Sequence, residues 1–247
     1  MSGHSHWARI KHKKGAADAK KGKEFSKVAK LLMVAAKNGG GDPGMNLKLA
    51  FALEKAKACN LPKENIDRAI KKGTGELEGV TFEEITYEGY GPGGVAVLVE
   101  ALTDNKNRTS PELRRIFDMH GGNLGSTNCV AWMFERKGVI AVSSAGLPED
   151  QAMELALDLG ADDVSSEDDR HLLTCDPTQL LTLRAAVEKR KMNVLSAEVS
   201  LIPKTTVPVA GADAKRAMDL LETLEEHEDA QNVYSNVEIP EELVKSS

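Results

Sequence analysis

The stretch "DDVSSEDDRHLLTCD" (residues 162–176) decides the fold, because it has the pattern of two short strands joined by a polar turn. Helical patterns flank it, Pro148–Leu159 before and Pro177–Lys189 after. Further out, "KGVIAVSS" (137–144) and "SAEVSLIP" (196–203) are runs typical of strands. The resulting order, β-α-β-β-α-β, is that of a ferredoxin-like α/β domain.

A second group of strands precedes this domain. The segments "FEEITYEG" (82–89) and "GVAVLVEALT" (94–103) predict two strands joined by a glycine-rich turn. Thr109 and Glu112 have the spacing of a capping box, which predicts a helix that begins near Thr109. The segment "CVAWMF" (129–134) predicts another strand, which completes a β-β-α-β unit.

The last part of the sequence predicts a helix over Asp213–Glu226 and a strand, "QNVYSNVEI" (231–239). Alone, this helix and strand cannot bury their apolar faces. We therefore expect both to complete the earlier β-β-α-β unit, so that the ferredoxin-like domain is inserted in a discontinuous one.

The first part of the sequence has a helical pattern. Apolar residues recur at helical spacing from about Ala16 to Lys37. Asn46 is suited to cap a second helix, Leu47–Ala58. Pro62 suits the first turn of a third helix, which Gly73 is expected to end. Three helices with short connections predict a small bundle.

Together these patterns predict an α+β fold. A helical N-terminal three-helix domain is followed by two α/β (ferredoxin-like) domains, with the third inserted in the second. The expected boundaries are 1–76 for the basic helical domain, 77–134 plus 205–240 for the discontinuous α/β domain, and 135–204 for the inserted domain.

Charge is distributed unevenly along the chain. Residues 1–72 hold 17 Lys and Arg against 6 Asp and Glu, a balance of +11, whereas residues 73–247 hold 15 against 32, a balance of −17, and the sum is −6. Salt confines electrostatic attraction to about 8–10 Å, so the local potential matters more than the net charge. The first segment is therefore predicted to bind a polyanion.

Cations and one aromatic residue of this segment form the candidate nucleic-acid-binding surface. Lysine and arginine side chains neutralise phosphates, and Trp7 can stack on an exposed base. The alternative is a solvated lysine face, with Trp7 only anchoring the amino-terminal arm to the bundle. The candidate residues are Trp7, Arg9, Lys11, His12, Lys13, Lys14, Lys20, Lys21, Lys23, Lys27, Lys30, Lys63, Arg68, Lys71 and Lys72.

The sequence carries no recognisable signal for catalysis. Gly89–Gly94 matches the GxGxxG dinucleotide fingerprint literally, but a strand-like segment follows it and Pro92 lacks an amide, so a hairpin turn is the better interpretation. The three cysteines form no CxxC pair, and the His, Cys and acidic residues lack the spacing of a zinc site or a calcium loop. We predict no enzyme activity, no small-molecule substrate, no cofactor and no metal.

No segment has the roughly 20 uncharged apolar residues that a membrane helix needs, and no apolar run follows the basic amino terminus as it would in a secretion signal. We therefore expect a cytoplasmic protein that has no membrane partner.

Four long strings are distinctive: "GHSHWARIKHKK" (3–14), "DAKKGKEFSK" (18–27), "NLPKENIDRAIKKGTGELEG" (60–79) and "YEGYGPGGVAVLVE" (87–100). They closely resemble the YebC family, which includes probable transcriptional regulatory proteins and a mitochondrial translational activator of cytochrome c oxidase. The resemblance implies a helical domain followed by two α/β domains, no enzyme activity, and nucleic acid as the partner. It also implies that the contact surface is the basic segment Gly3–Lys30 together with the "PKENIDRAIKK" helix.

The kind of nucleic acid remains open at this point. A DNA-binding transcriptional regulator fits the usual description of the family, but only Arg9 and Arg68 among the 17 cations are arginines, so duplex binding would be weakly sequence-specific. An RNA- or ribosome-binding translation factor is the alternative, because a lysine-rich arm with His and Trp suits the unpaired bases and dense phosphate of RNA.

Overall fold

The computed structural model describes the backbone of residues 18–167 and 169–239, and the side chains of residues 21–166 and 169–239. Within this part the chain forms two compact units. One comprises residues 18–131 and 209–235, and the other comprises residues 132–167, 169–208 and 236–239. Helices and antiparallel sheets occur together, which confirms the predicted α+β class.

The helices are α1 (Asp18–Gly39), α2 (Leu47–Ala58), α3 (Lys63–Thr74), α4 (Lys106–Met119), α5 (Glu149–Asp158), α6 (Leu180–Lys189) and α7 (Gly211–Glu226). The strands are β1 (Glu83–Tyr90), β2 (Ala96–Thr103), β3 (Asn123–Leu124), β4 (Phe134–Ser143), β5 (Asp163–Glu167), β6 (Arg170–Cys175), β7 (Val194–Pro203), β8 (Val207–Pro208), β9 (Ala230–Ser235) and β10 (Val237–Glu238). Short 3-10 turns lie at Pro92–Gly94, Ala131–Met133 and Pro177–Gln179.

The first unit begins with the predicted bundle of α1, α2 and α3. Its core contains Leu32 of α1 and Leu49 of α2, both fully buried. Asn46 caps α2 as predicted, because its side-chain oxygen accepts a hydrogen bond from the Leu49 amide at 3.1 Å. The amide group of the same side chain donates to the Ala35 carbonyl of α1 at 2.8 Å, so one residue both starts α2 and holds it to α1.

The third helix continues past its predicted end. Gly73 lies inside α3, and the helix ends at Thr74 with Gly75 in the left-handed conformation (φ 83°). A Cβ atom at Gly73 would lie 2.4 Å from the Met33 carbonyl oxygen and 2.7 Å from the Ala36 Cβ of α1. The prediction that Gly73 ends the helix is therefore wrong; glycine is needed there because α1 and α3 touch backbone to backbone.

The first unit also contains a four-stranded sheet with the order β3-β1-β2-β9, in which all neighbours are antiparallel. Strand β9 comes from the last part of the chain and completes this sheet, as predicted; its partner in the sheet is β2. Helices α4 and α7 cover one face. A Cβ at Gly89 of β1 would lie 2.7 Å from Phe117 of α4, and one at Gly91 would lie 3.0 Å from Leu220 of α7.

Helix α4 begins three residues before the predicted capping box. Its cap is Asn105, whose side-chain oxygen accepts hydrogen bonds from the amides of Asn107 and Arg108. Thr109 lies within the helix and is fully buried. Its hydroxyl donates to Asp229 at 2.7 Å, so this residue serves tertiary packing instead of helix capping.

The segment "CVAWMF" (129–134) does not form the predicted strand. Its middle is a 3-10 turn, and strand β4 begins only at Phe134. The cause is Glu88 of β1, a buried carboxylate that accepts hydrogen bonds from three backbone amides of this region at 2.7–2.8 Å, those of Asn128, Val130 and Ala131. Amides bound to a carboxylate cannot pair with a neighbouring strand.

The second unit contains a four-stranded antiparallel sheet with the order β5-β6-β4-β7. With α5 between β4 and β5 and α6 between β6 and β7, this is the predicted ferredoxin-like arrangement. The helices pack on one face of the sheet, where a Cβ at Gly138 would lie 2.7 Å from the Cys175 Sγ and 3.1 Å from Leu180.

The last predicted strand is divided into two. Strand β9 pairs in the first unit, whereas β10 pairs in parallel with β8 in the second unit. Between them, the Asn236 carbonyl accepts a hydrogen bond from the Val207 amide at 2.8 Å. The three-domain division remains a prediction. None of the helices in the described part of the chain is long and apolar enough to cross a membrane.

Candidate nucleic-acid interface

Seven of the predicted contact residues cannot be placed by their side chains. Lys20 lies in α1, but its side chain is outside the described atoms. The residues of the amino-terminal arm lie outside the described residues altogether; they are Trp7, Arg9, Lys11, His12, Lys13 and Lys14.

Six further candidates are exposed to solvent. Lys21 and Lys23 lie on the first turns of α1, and the remaining four lie on α3. None of the six forms an ion pair with an acidic residue in the part of the chain that the structure describes. The four on α3 are Lys63, Arg68, Lys71 and Lys72.

The buried face of α3 directs its cations outward. Ala69 is buried, and Ile66 and Ile70 pack against the bundle core. Arg68 and Lys72 are four residues apart, so they lie next to each other on the solvent side of the helix. Lys72 lies in the last turn, where a cation is also favoured by the helix dipole. The geometry therefore presents cations that a phosphate can reach.

Lys30 has a different environment from these six. Its side chain is only 10% exposed, and its ammonium group lies 2.7 Å from the Asp229 carboxylate and 3.3 Å from the Glu228 carbonyl oxygen. Lys27, one turn earlier, donates to the Glu225 carbonyl at 2.5 Å. These two lysines of α1 thus bind the last turn of α7 and the segment that links α7 to β9. We leave Lys27 and Lys30 out of the proposed contact surface, because these ammonium groups already have partners within the fold.

Asp229 is the centre of this buried cluster. Its side chain is 1% exposed and accepts hydrogen bonds from Lys30, from Arg108 of α4 at 2.8 Å and from Thr109 at 2.7 Å. Burial by itself raises the pKa of the Asp229 carboxyl, but the hydrogen bonds from these three partners outweigh burial and hold the pKa well below its usual range. One carboxylate therefore fastens α1 and α4 together.

Three further exposed lysines of the bundle have no ion pair with a described residue and were not among the predicted contacts. They are Lys37 at the end of α1, and Lys48 and Lys57 on α2. None of the three lies in a lysine string as dense as those on which the prediction relied. The signal that could have found them is their place on the outer side of the helical period.

The described residues contain no cluster of three or more His, Cys, Asp or Glu side chains placed to hold a metal ion. Cys59, Cys129 and Cys175 are free thiols. Burial raises the pKa of all three, which disfavours the thiolate, the reactive form of a cysteine.

Comparison with known proteins places this architecture in a family. Residues 5–76 match the family model described as the TACO1/YebC protein N-terminal domain, and residues 82–237 match the TACO1/YebC second and third domain. A probable transcriptional regulatory protein of Dictyoglomus turgidum is 51% identical over 247 residues, which is 100% of this chain and 99% of the relative. One of Syntrophobacter fumaroxidans with the same description is 53% identical over 245 residues, 99% of this chain and 98% of the relative.

A solved structure agrees with these sequence matches. The crystal structure of the conserved hypothetical protein Aq1575 from Aquifex aeolicus has a TM-score of 0.87 and 47% sequence identity, and the match covers 96% of this chain and 98% of the other. The chain belongs to the TACO1/YebC family.

Proposed function

We propose that this chain is a non-enzymatic regulator of gene expression that binds nucleic acid through its basic helical domain. The observation that carries the proposal is the set of six exposed cations on α1 and α3 that have no acidic partner among the described residues. The relatives described as probable transcriptional regulatory proteins support a regulatory role.

The chemistry of these cations favours contacts with the sugar–phosphate backbone. Five of the six are lysines. Arg68 is the only arginine, and its planar guanidinium group can donate two hydrogen bonds to the major-groove edge of a guanine. Phosphate contacts position a protein on its target without reading the sequence. We therefore propose duplex DNA as the partner, bound with weak sequence preference.

An RNA- or ribosome-binding translation factor is the second candidate. The lysine predominance favours it, because unpaired RNA offers dense phosphate without the need to read a base sequence in a groove. The same helical domain would make the contacts, so the two candidates share one surface and differ in the target.

Salt dependence tests whether this surface binds. We expect the triple variant Arg68→Ala, Lys71→Ala, Lys72→Ala to reduce the slope of log K against log salt by about 2.7 on duplex DNA and about 2.1 on single-stranded RNA, since each phosphate contact contributes roughly 0.9 or 0.7. The matched control is Lys189→Ala, Arg190→Ala, Lys191→Ala, which removes the same charge from exposed positions of the second unit.

An unchanged slope in the α3 variant, or an equal loss of slope in both variants, would refute this surface.

A second experiment identifies the target, by crosslinking in cells and sequencing of the bound nucleic acid. Reads dominated by promoter DNA support the first candidate, and reads dominated by ribosomal or messenger RNA support the second.

A further inference from the structure

We propose that the outer face of α4 is a second nucleic-acid-binding surface, on which Arg114 and Arg115 bind backbone phosphates. This inference rests on the proposed function, and it extends the contact surface from the helical bundle to the first sheet of the same unit.

The charges of this part of the unit are unevenly placed. Residues 77–131 hold 8 acids and 4 Lys or Arg, and residues 209–235 hold 7 acids and 2, which gives 15 acids against 6 cations. All four cations of the first range lie within α4. An acidic surround repels a polyanion, so one helix with a local excess of cations is the place where such a ligand can approach.

The packing of α4 separates its arginines into two groups. Thr109, Leu113 and Phe117 form its buried side. Arg108 is bound to Asp229 and, at 3.1 Å, to Asp104, so its charge is already neutralised.

Arg114 and Arg115 are exposed, and neither has an ion pair or hydrogen bond with any described residue. These two arginines therefore remain available to a ligand.

The residue type and surroundings fit a phosphate ligand. A guanidinium group presents a fork of donors that matches two phosphate oxygens and also stacks on bases. Met119, one turn after Arg115, is 70% exposed. Arg114, Arg115 and Met119 all line a shallow hollow of about 640 Å³ on the outer side of α4, together with Ser110, Pro111 and Asp118. The hollow thus combines two guanidinium groups that can donate hydrogen bonds to phosphate with an apolar side chain that a sugar or base can contact.

The two cationic surfaces are held in a fixed relation. Arg108 of α4 and Lys30 of α1 bind the two oxygens of the same Asp229 carboxylate, at 2.8 Å and 2.7 Å. Arg115 lies two helical turns beyond Arg108, or about 10.5 Å along the axis. A polyanion on the bundle therefore meets a second group of cations whose position does not depend on a flexible linker.

The test is the salt dependence of binding by the full chain carrying Arg114→Gln and Arg115→Gln, with a 20-nucleotide single-stranded RNA and a duplex DNA as probes. We expect the slope of log K against log salt to fall by about 1.8 on duplex DNA and about 1.4 on RNA. At 0.1 M salt these losses correspond to roughly 60-fold and 25-fold weaker binding, and the affinities should converge with those of the unmodified protein near 1 M.

Two controls make the result specific. Lys189→Gln with Arg190→Gln removes the same charge from the second unit and should leave the slope unchanged. Arg114→Lys with Arg115→Lys keeps the charge and should retain the slope. Circular dichroism at the binding temperature checks that each variant is folded.

The possible failures are distinguishable. If the unmodified protein binds neither probe, the proposed function fails and this inference fails with it. If it binds but the Gln variant keeps the full slope, or the lysine-conserving variant loses it, only this inference is overturned. Binding of polyglutamate as tight as that of RNA, and lost in the Gln variant, would overturn it in favour of an acidic protein partner.

Discussion

Replacement of Asp229 by alanine should loosen the attachment of α1 to the first sheet. The carboxylate is 1% exposed and is the nearest counter-ion of the buried Lys30, at 2.7 Å. Removing one partner of a buried ion pair typically costs about 3–5 kcal/mol, because the other charge remains buried without compensation. Arg108 loses less, since its side chain is 42% exposed and retains Asp104.

Hydrogen exchange at pH 7 is the suitable assay, because it reports opening of one region and does not require the two units to unfold together. A cost of 3–5 kcal/mol corresponds to about 100- to 5,000-fold faster exchange, at 1.4 kcal/mol per factor of ten. We expect this increase at the buried amides of α1 around Leu32–Ala36 in Asp229→Ala.

The control is Asp213→Ala, which removes a partly exposed acid of the same unit that is paired with Arg216 at 2.8 Å. Surface pairs contribute at most about 1 kcal/mol, so exchange in α1 should change less than about fivefold. In Lys30→Met combined with Asp229→Ala, protection should partly return, because the ammonium group that lost its nearest carboxylate is no longer buried there. Exchange in Asp229→Ala that remains within fivefold of the unmodified protein would contradict the reasoning.

Two further predictions concern pH and packing. The pKa of the Asp229 carboxyl is lower in the folded state than in the unfolded state. The contribution of this carboxylate to stability is therefore complete above about pH 3.9, the pKa in the unfolded state, and is lost as the pH falls below that value. Urea unfolding of Asp229→Asn should show a weaker loss of stability between pH 4 and pH 2 than the unmodified protein. Gly73→Ala should destabilise the bundle by about 1–3 kcal/mol, since the new methyl group would lie 2.4 Å from the Met33 carbonyl oxygen. In Gly22→Ala the new methyl group would have no neighbouring atom within 4 Å, so this substitution should stabilise the bundle by up to about 1 kcal/mol. If urea unfolding gave Gly73→Ala the same stability as Gly22→Ala, the close contact of α1 and α3 would be refuted.

Most of the fold could be predicted from local patterns. Helix caps such as Asn46 act on amides three residues away, and the order of strands and helices from β4 to β7 follows from changes in periodicity along the chain. One error occurs where a distant side chain determines the backbone. Glu88, more than 40 residues earlier in the chain, takes amides that the segment 129–134 would need to form a strand.

In the candidate site, too, some features follow from local sequence and others from contacts between distant residues. The sequence by itself determined that the cations are concentrated in the first 72 residues and which side of each helix they occupy, because composition and helical period are properties of a local segment. Only the tertiary structure decided which of them remain available. Lys23 and Lys30 lie on the same side of α1, yet Lys23 is exposed and Lys30 is bound to Asp229, 199 residues away. The physical reason is that the availability of a charge depends on what packs against it, and that contact is formed only when distant parts of the chain come together.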